Sequence, residues 1–276
     1  MDYRPGLPEK NHNVSHDNPL SEFFTLLAGL AAAIVAVYWV LGLAVDRAVE
    51  SISTETEIRL LEATGIDWSS AWESSGSGDA EVESELGELL TALNQCAQVE
   101  YPVVLALDSA DTVNAFALPG GQIVIMQGLL DQLETENGVA FVLAHELAHF
   151  KNRDHLRGMG RSVVLLAMAV LATGPNSDLA QLLTPVNQLQ TAQFSQDRES
   201  SADATALDIL NCHYGHVGGA TEFFDTIGDR ETDFDYSLSH YFSSHPENRR
   251  RIEAIRILRK SRNYSVGQLR KPPWLD

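Results

Sequence analysis

From Phe23 to Val45 the chain runs 23 residues without a charged side chain. A helix of that length reaches across the hydrocarbon of a bilayer, so this run limits the fold more than any other. Tyr38 and Trp39 stand toward one end, where aromatic rings anchor at a membrane interface. A cleaved signal sequence has a shorter apolar core and a small-residue cleavage site, and a polar stretch this long does not usually precede it. The chain is therefore expected to divide into a polar tail over 1–22, a single transmembrane helix over 23–45, and a remainder that folds outside the bilayer.

That remainder carries most of a formal net charge of -19. Such a surface repels phosphates, which excludes nucleic acid as a partner and leaves apolar insertion, not a basic patch, as the route to a membrane. Arg4, Lys10 and the terminal amine precede the span, and Arg47 and Arg59 follow it. The positive-inside tilt points to a cytoplasmic tail and a large domain on the non-cytoplasmic side. Cys96 and Cys212 are too few for a disulfide scaffold and wrongly spaced for a zinc knuckle; they are either a pair or two buried thiols, and the buried thiols are the favoured reading.

Helical spacing through Val49, Ile52, Ile58 and Leu61 predicts an amphipathic helix after the span, and the Ser/Gly-rich Ser69–Gly78 a linker, together 46–79. The main domain is expected over 80–260, with a C-terminal tail over 261–276. Its first helix is read over Glu81–Cys96 and a buried strand over Val103–Leu107. Asn114–Leu118 and Gln122–Met126 read as strands joined at Pro119-Gly120-Gly121, an antiparallel hairpin. The class expected is α+β, mainly helical, with a small antiparallel sheet beside a central helix.

That central helix holds His145-Glu146-Leu147-Ala148-His149, an H-E-x-x-H pattern behind the apolar lead-in Gly138–Ala144, with Thr135 or Asn137 as N-cap. Residues four apart share one helix face, so both imidazoles aim at a single ion. Glu146, about a hundred degrees further round, reaches a water on that ion. Zinc brings the pKa of such a water to roughly 7, and a carboxylate must take its proton. The pattern is expected to hold one Zn2+ per chain.

Catalytic zinc takes three protein ligands. His155 lies at metzincin spacing, with Asn152 in the place of the usual glycine and able to turn left-handed. Glu199 is the stronger choice, because Glu199 and Asp203 share a helix face. One acid then ligates zinc while the other accepts a hydrogen bond from a ligand histidine. Downstream of His149 the helix is expected to continue through Lys151, Arg153 and Arg157 into the uncharged Val163–Ala172, read first as a core helix and second as a segment dipping into the membrane. Leu179–Gln190 resumes weak amphipathicity.

HELAH, RESSAD at 198–203, NAFALPGGQIVIMQGLL at 114–130 and HPENRRRI at 245–252 together resemble the gluzincin metallopeptidases of the HtpX-like and CaaX prenyl protease group, over roughly Ala80 to Arg259. The resemblance implies a zincin-type fold with His145, His149 and Glu199 as zinc ligands, Glu146 as general base and acid, and Asp203 as partner to a ligand histidine. It implies that His245 acts near the open coordination position and that Asn114, Ala115, Phe116 and Ala117 hold the backbone of a protein or peptide substrate. Members of that group have several spans and this chain has one clear span, which argues against a membrane-enclosed chamber. The expected function is a membrane-anchored zinc endopeptidase acting on misfolded or membrane-associated proteins. The alternative is a membrane-tethered binding or scaffold protein with a closed zinc site; a homo-oligomer or a membrane partner is compatible with either.

Overall fold

The computed structural model describes residues 19–63, 76–100, 102–118, 120–174, 177–178, 195–228 and 248–275. The tail over 1–18, the stretch Leu179–Gln190 and His245 lie outside the described residues. The fold is mainly helical, with a three-stranded sheet and a long apolar N-terminal helix.

Helix α1, Pro19–Ser51, is long and apolar enough to cross a membrane. It buries Gly42 and Val49 and leaves Leu26, Leu30, Trp39 and Leu43 exposed, apolar surface that water does not favour. The short α2, Thr54–Ala63, follows after a break. Helix α3, Ala80–Ala97, starts where the Asp79 carboxylate accepts the Glu81 amide at 2.8 Å, and it buries Leu86, Leu90, Leu93 and Ala97 as one stripe.

Strands β1 (Val104–Asp108), β2 (Ala115–Leu118) and β3 (Gln122–Met126) form a sheet of order β1-β3-β2. The β2–β3 hairpin is antiparallel, with Ala115 opposite Ile125. The sheet as a whole is mixed, not antiparallel throughout, because β1 joins the far side of β3 in parallel. Ile123, Val124 and Ile125 are all buried, and a strand without a polar face belongs at the centre. A one-turn helix α4, Gln127–Leu130, leads into α5, Glu136–Lys151, buried from Asn137 to Phe150. Helix α7 (Gln196–Tyr214) packs along α5, and α8 (Glu222–Gly228) and α9 (Asn248–Ser261) close the core around Phe141, Phe223 and Phe224.

Three expectations change. Cys96 and Cys212 are joined as a disulfide that ties α3 to α7, so the pair, the less favoured of the two readings, is the one the structure has. Helix α5 does not run on: it stops at Lys151, Arg153 takes a left-handed φ of 56°, and α6 begins anew at Asp154. A left-handed non-glycine costs about 1–2 kcal/mol. The Arg153 guanidinium counters that cost by donating to the carbonyls of Val49 and Ile52 and to the Thr54 hydroxyl. Finally, α6 (Asp154–Thr173) is not a core helix. Leu171 is 88% exposed and Val163 52%, and the helix packs against α1 instead. A Cβ on Gly160 would stand 2.4 Å from Val45 Cγ1, so a glycine permits that close approach.

Candidate metal centre

The start of α5 is fixed from α8. Glu222 Oε1 accepts the amides of Glu134 at 2.7 Å and Thr135 at 2.9 Å, and its Oε2 bonds the Thr135 hydroxyl. Thr135 is the N-cap, accepting the Gly138 amide at 3.0 Å. Asn137 does not take that role; its side chain is buried and its Oδ1 accepts the Arg270 amide at 2.8 Å.

Two turns further on, His145, His149 and Glu199 bring one ligand atom each within 4.8 Å of one another, all three buried. His145 Nε2 and His149 Nε2 lie 3.1 Å apart, and each is 3.4 Å from a Glu199 oxygen. Their other ring nitrogens are engaged. Asp203 Oδ1 is 3.1 Å from His145 Nδ1, and Asp154 Oδ2 is 2.9 Å from His149 Nδ1. Each carboxylate favours a proton on Nδ1 and so leaves an Nε2 lone pair toward Glu199, the arrangement of histidines that ligate a metal. Two buried imidazoles and one buried carboxylate converging on one point suit zinc. Glu146 is buried on the same helix, one residue along from His145.

Protonation reflects the crowding of acids. Burial pushes both imidazoles down, but the charge of Glu199 and the bond to Asp203 outweigh it and raise His145 above its ordinary value. His149 is likewise opposed by burial and raised to about 9 by Asp154, Glu199 and Glu146. For Asp203 burial works upward, and the bonds from Arg251 and His145 hold it below the usual carboxylate range.

Arg251 went unassigned in the sequence reading. From α9 it bonds Asp203 with Nε at 2.8 Å and Nη2 at 2.7 Å, pairs through Nη1 with Glu199 Oε2 at 2.8 Å, and lies over the Phe224 ring. Its signal was within HPENRRRI, six residues after His245. Asp154 was also unassigned; it stands five residues past His149, beyond the break that ends α5. His155 points elsewhere: its Nε2 is 2.7 Å from Glu57 Oε1 on α2. The left-handed turn imagined at Asn152 occurs at Arg153, and it delivers His155 to that carboxylate. Ala115, Phe116 and Ala117 lie in the edge strand β2, with Asn114 just before it accepting the Met126 amide through its carbonyl at 3.0 Å. Helix α5 packs against that strand.

Fold and site together define a zincin-type metallopeptidase domain. The family model described as peptidase family M48 matches residues 77–259, well over half of the chain, and the chain belongs to that family. It is 30% identical to the metalloprotease LoiP of Escherichia coli over 163 residues, covering 57% of this chain and 62% of LoiP. It is 32% identical to a protease HtpX homolog of Gemmatimonas aurantiaca over 216 residues, 67% of this chain and 74% of the homolog. A third relative, the mitochondrial metalloendopeptidase OMA1 of Schizosaccharomyces pombe, is 29% identical over 146 residues, 52% of this chain and 43% of OMA1. The chain thus spans about three fifths of the length of LoiP.

Proposed function

We propose that this chain is a membrane-anchored zinc metalloendopeptidase that hydrolyses peptide bonds in misfolded or membrane-associated proteins. The observation that carries the reading is the buried convergence of His145, His149 and Glu199, with Glu146 on the same helix. Bound there, zinc supplies Lewis acidity that polarises a peptide carbonyl and makes water a nucleophile near neutral pH. Glu146 takes the proton from the attacking water and returns it to the leaving amine nitrogen. Asp203 and Asp154 hold the two histidine rings in the ligating tautomer. The edge of β2, with Asn114 to Ala117, receives an extended substrate as an added strand. His245 assists at the developing oxyanion, as the family resemblance implies.

Anchoring through α1 is supported by its length and its exposed apolar side chains. The Cys96–Cys212 disulfide favours an oxidising compartment, in line with a domain on the non-cytoplasmic side. The test uses the full chain in detergent, wild type beside Glu146→Gln, measured for zinc content and casein cleavage. One zinc in both with cleavage in the wild type alone supports the peptidase. Full cleavage by Glu146→Gln contradicts the assigned base, and zinc in both with cleavage in neither favours the scaffold alternative.

A further inference from the structure

Where α1 enters the folded domain, its Asp46 connects to the metal centre. Asp46 meets three guanidinium groups: Arg161 Nη2 at 2.8 Å, Arg198 Nη2 at 3.4 Å and Arg157 Nε at 3.7 Å. Arg198 bridges, because its Nε lies 3.4 Å from Asp154 Oδ1. The other oxygen of Asp154 is the one 2.9 Å from His149 Nδ1. Four side chains from α1, α7, α6 and α5 thus join end to end, and Asp154 and His149 are nearly inaccessible to solvent.

The residues on either side of Asp154 are held by the same entering segment. Arg153 donates to the carbonyls of Val49 and Ile52 and to the Thr54 hydroxyl. His155 bonds Glu57, whose side chain is fully buried on α2. Asp154 therefore sits in a corner whose both neighbours are pinned by residues 49–57, and its own second oxygen is pinned through Arg198 by Asp46. Without Asp46, Arg198 would lose one of the two carboxylates between which its guanidinium is held, and its orientation on Asp154 would no longer be fixed from the side of α1.

We propose that the segment 46–57, leaving the anchor helix, positions the zinc ligand His149, with Asp46 acting through Arg198 and Asp154. The inference rests on the reading of His145, His149 and Glu199 as zinc ligands. It makes the attachment of the anchor part of the metal site's support, so that a displacement of α1 relative to the domain is felt as a change in zinc affinity. Loss of an outer hydrogen-bonding partner of a ligand histidine typically weakens metal binding by about 10- to 100-fold.

The test is zinc affinity of the full chain in detergent micelles, read by competition with a chromophoric chelator. Asp46→Asn, the same in shape without the charge, is expected to weaken zinc binding by roughly 10-fold, and Asp154→Asn by at least as much. Combined with Asp154→Asn, Asp46→Asn should cost little more than Asp154→Asn alone, because both act on one chain of contacts. Glu50→Gln removes a carboxylate 3.7 Å from Arg157 at the same helix end, outside the link to Asp154, and should bind zinc as the wild type does. Arg198→Lys, which keeps the charge but cannot fork between two carboxylates, should weaken zinc as Asp46→Asn does. Wild-type affinity in Asp46→Asn and Arg198→Lys, or full additivity with Asp154→Asn, would overturn the inference. A wild-type chain that takes up no zinc would instead remove the metal-site reading beneath it.

Discussion

Arg251 Nη1 stands 2.8 Å from Glu199 Oε2, so a guanidinium from α9 is paired with the carboxylate that faces both histidines of α5. The same guanidinium forks onto Asp203. One cation is thus shared by two acids, and all three side chains are buried. Removing one partner of a buried ion pair typically costs about 3–5 kcal/mol, because the other charge stays behind uncompensated. Arg251→Met should destabilise the metal-free protein by that order. Zinc would restore part of the missing positive charge, so the deficit should narrow in zinc-loaded protein. Denaturant unfolding of both forms measures it, and an equal, small effect in each would contradict the account.

The pH dependence of the metal-free protein follows from His149, raised from 6.5 to about 9. A raised value means that the folded state binds the proton more tightly than the unfolded chain. The contribution is therefore full below pH 6.5 and is lost as pH climbs through about 9. Chelator-stripped protein should lose stability steadily across that window. Zinc must displace the same proton, so zinc uptake at pH 7 should release protons and strengthen as pH rises. Melts against pH, and zinc titration in two buffers of different ionisation enthalpy, read both effects. Stability that rises from pH 6.5 to 9 would be the wrong sign.

The Cys96–Cys212 bridge closes a sequence separation of 116 residues and fastens α7, which carries Glu199, to α3. Constraining so long a loop in the unfolded chain stabilises by about 2–5 kcal/mol. Reductant, or the double substitution Cys96→Ala with Cys212→Ala, should move the denaturation midpoint down accordingly. An unchanged midpoint under reductant would show that the bridge contributes nothing.

Glu222 takes two backbone amides ahead of α5 and the hydroxyl of its N-cap. Glu222→Ala leaves those donors without their acceptor, at about 1–3 kcal/mol. For a domain of this size each kcal/mol lowers the melting temperature by about 2–4 °C. A drop of several degrees is expected with zinc stoichiometry unchanged, because His145 and His149 lie about two turns further along the helix. Thermal melts beside metal analysis check both parts.

The sequence made the metal centre more legible than the scaffold that supports it. His145, His149, Glu199 and Asp203 are spaced by the helix itself, and four-residue intervals survive as geometry whatever the fold. The hairpin was visible from its turn residues, whereas the parallel partner β1 depends on a tertiary pairing that no local pattern encodes. The corner at Arg153 carries neither Gly nor Pro, and its turn is held by carbonyls about a hundred residues earlier, so helical periodicity ran straight through it. An apolar helix reads alike against a core, a second apolar helix or lipid, which is why α6 looked like core. Arg251 and Asp154 act only through three-dimensional neighbours, and the bridge between Cys96 and Cys212 has no local signature.

The most direct test of the account is X-ray absorption spectroscopy of the zinc-loaded full chain beside Glu199→Gln. The account predicts a first shell of nitrogen and oxygen at roughly 2.0–2.1 Å with scattering from two imidazoles, and weakened zinc retention in Glu199→Gln. A sulfur shell near roughly 2.3 Å, or three imidazoles with zinc retained undiminished by Glu199→Gln, would contradict it.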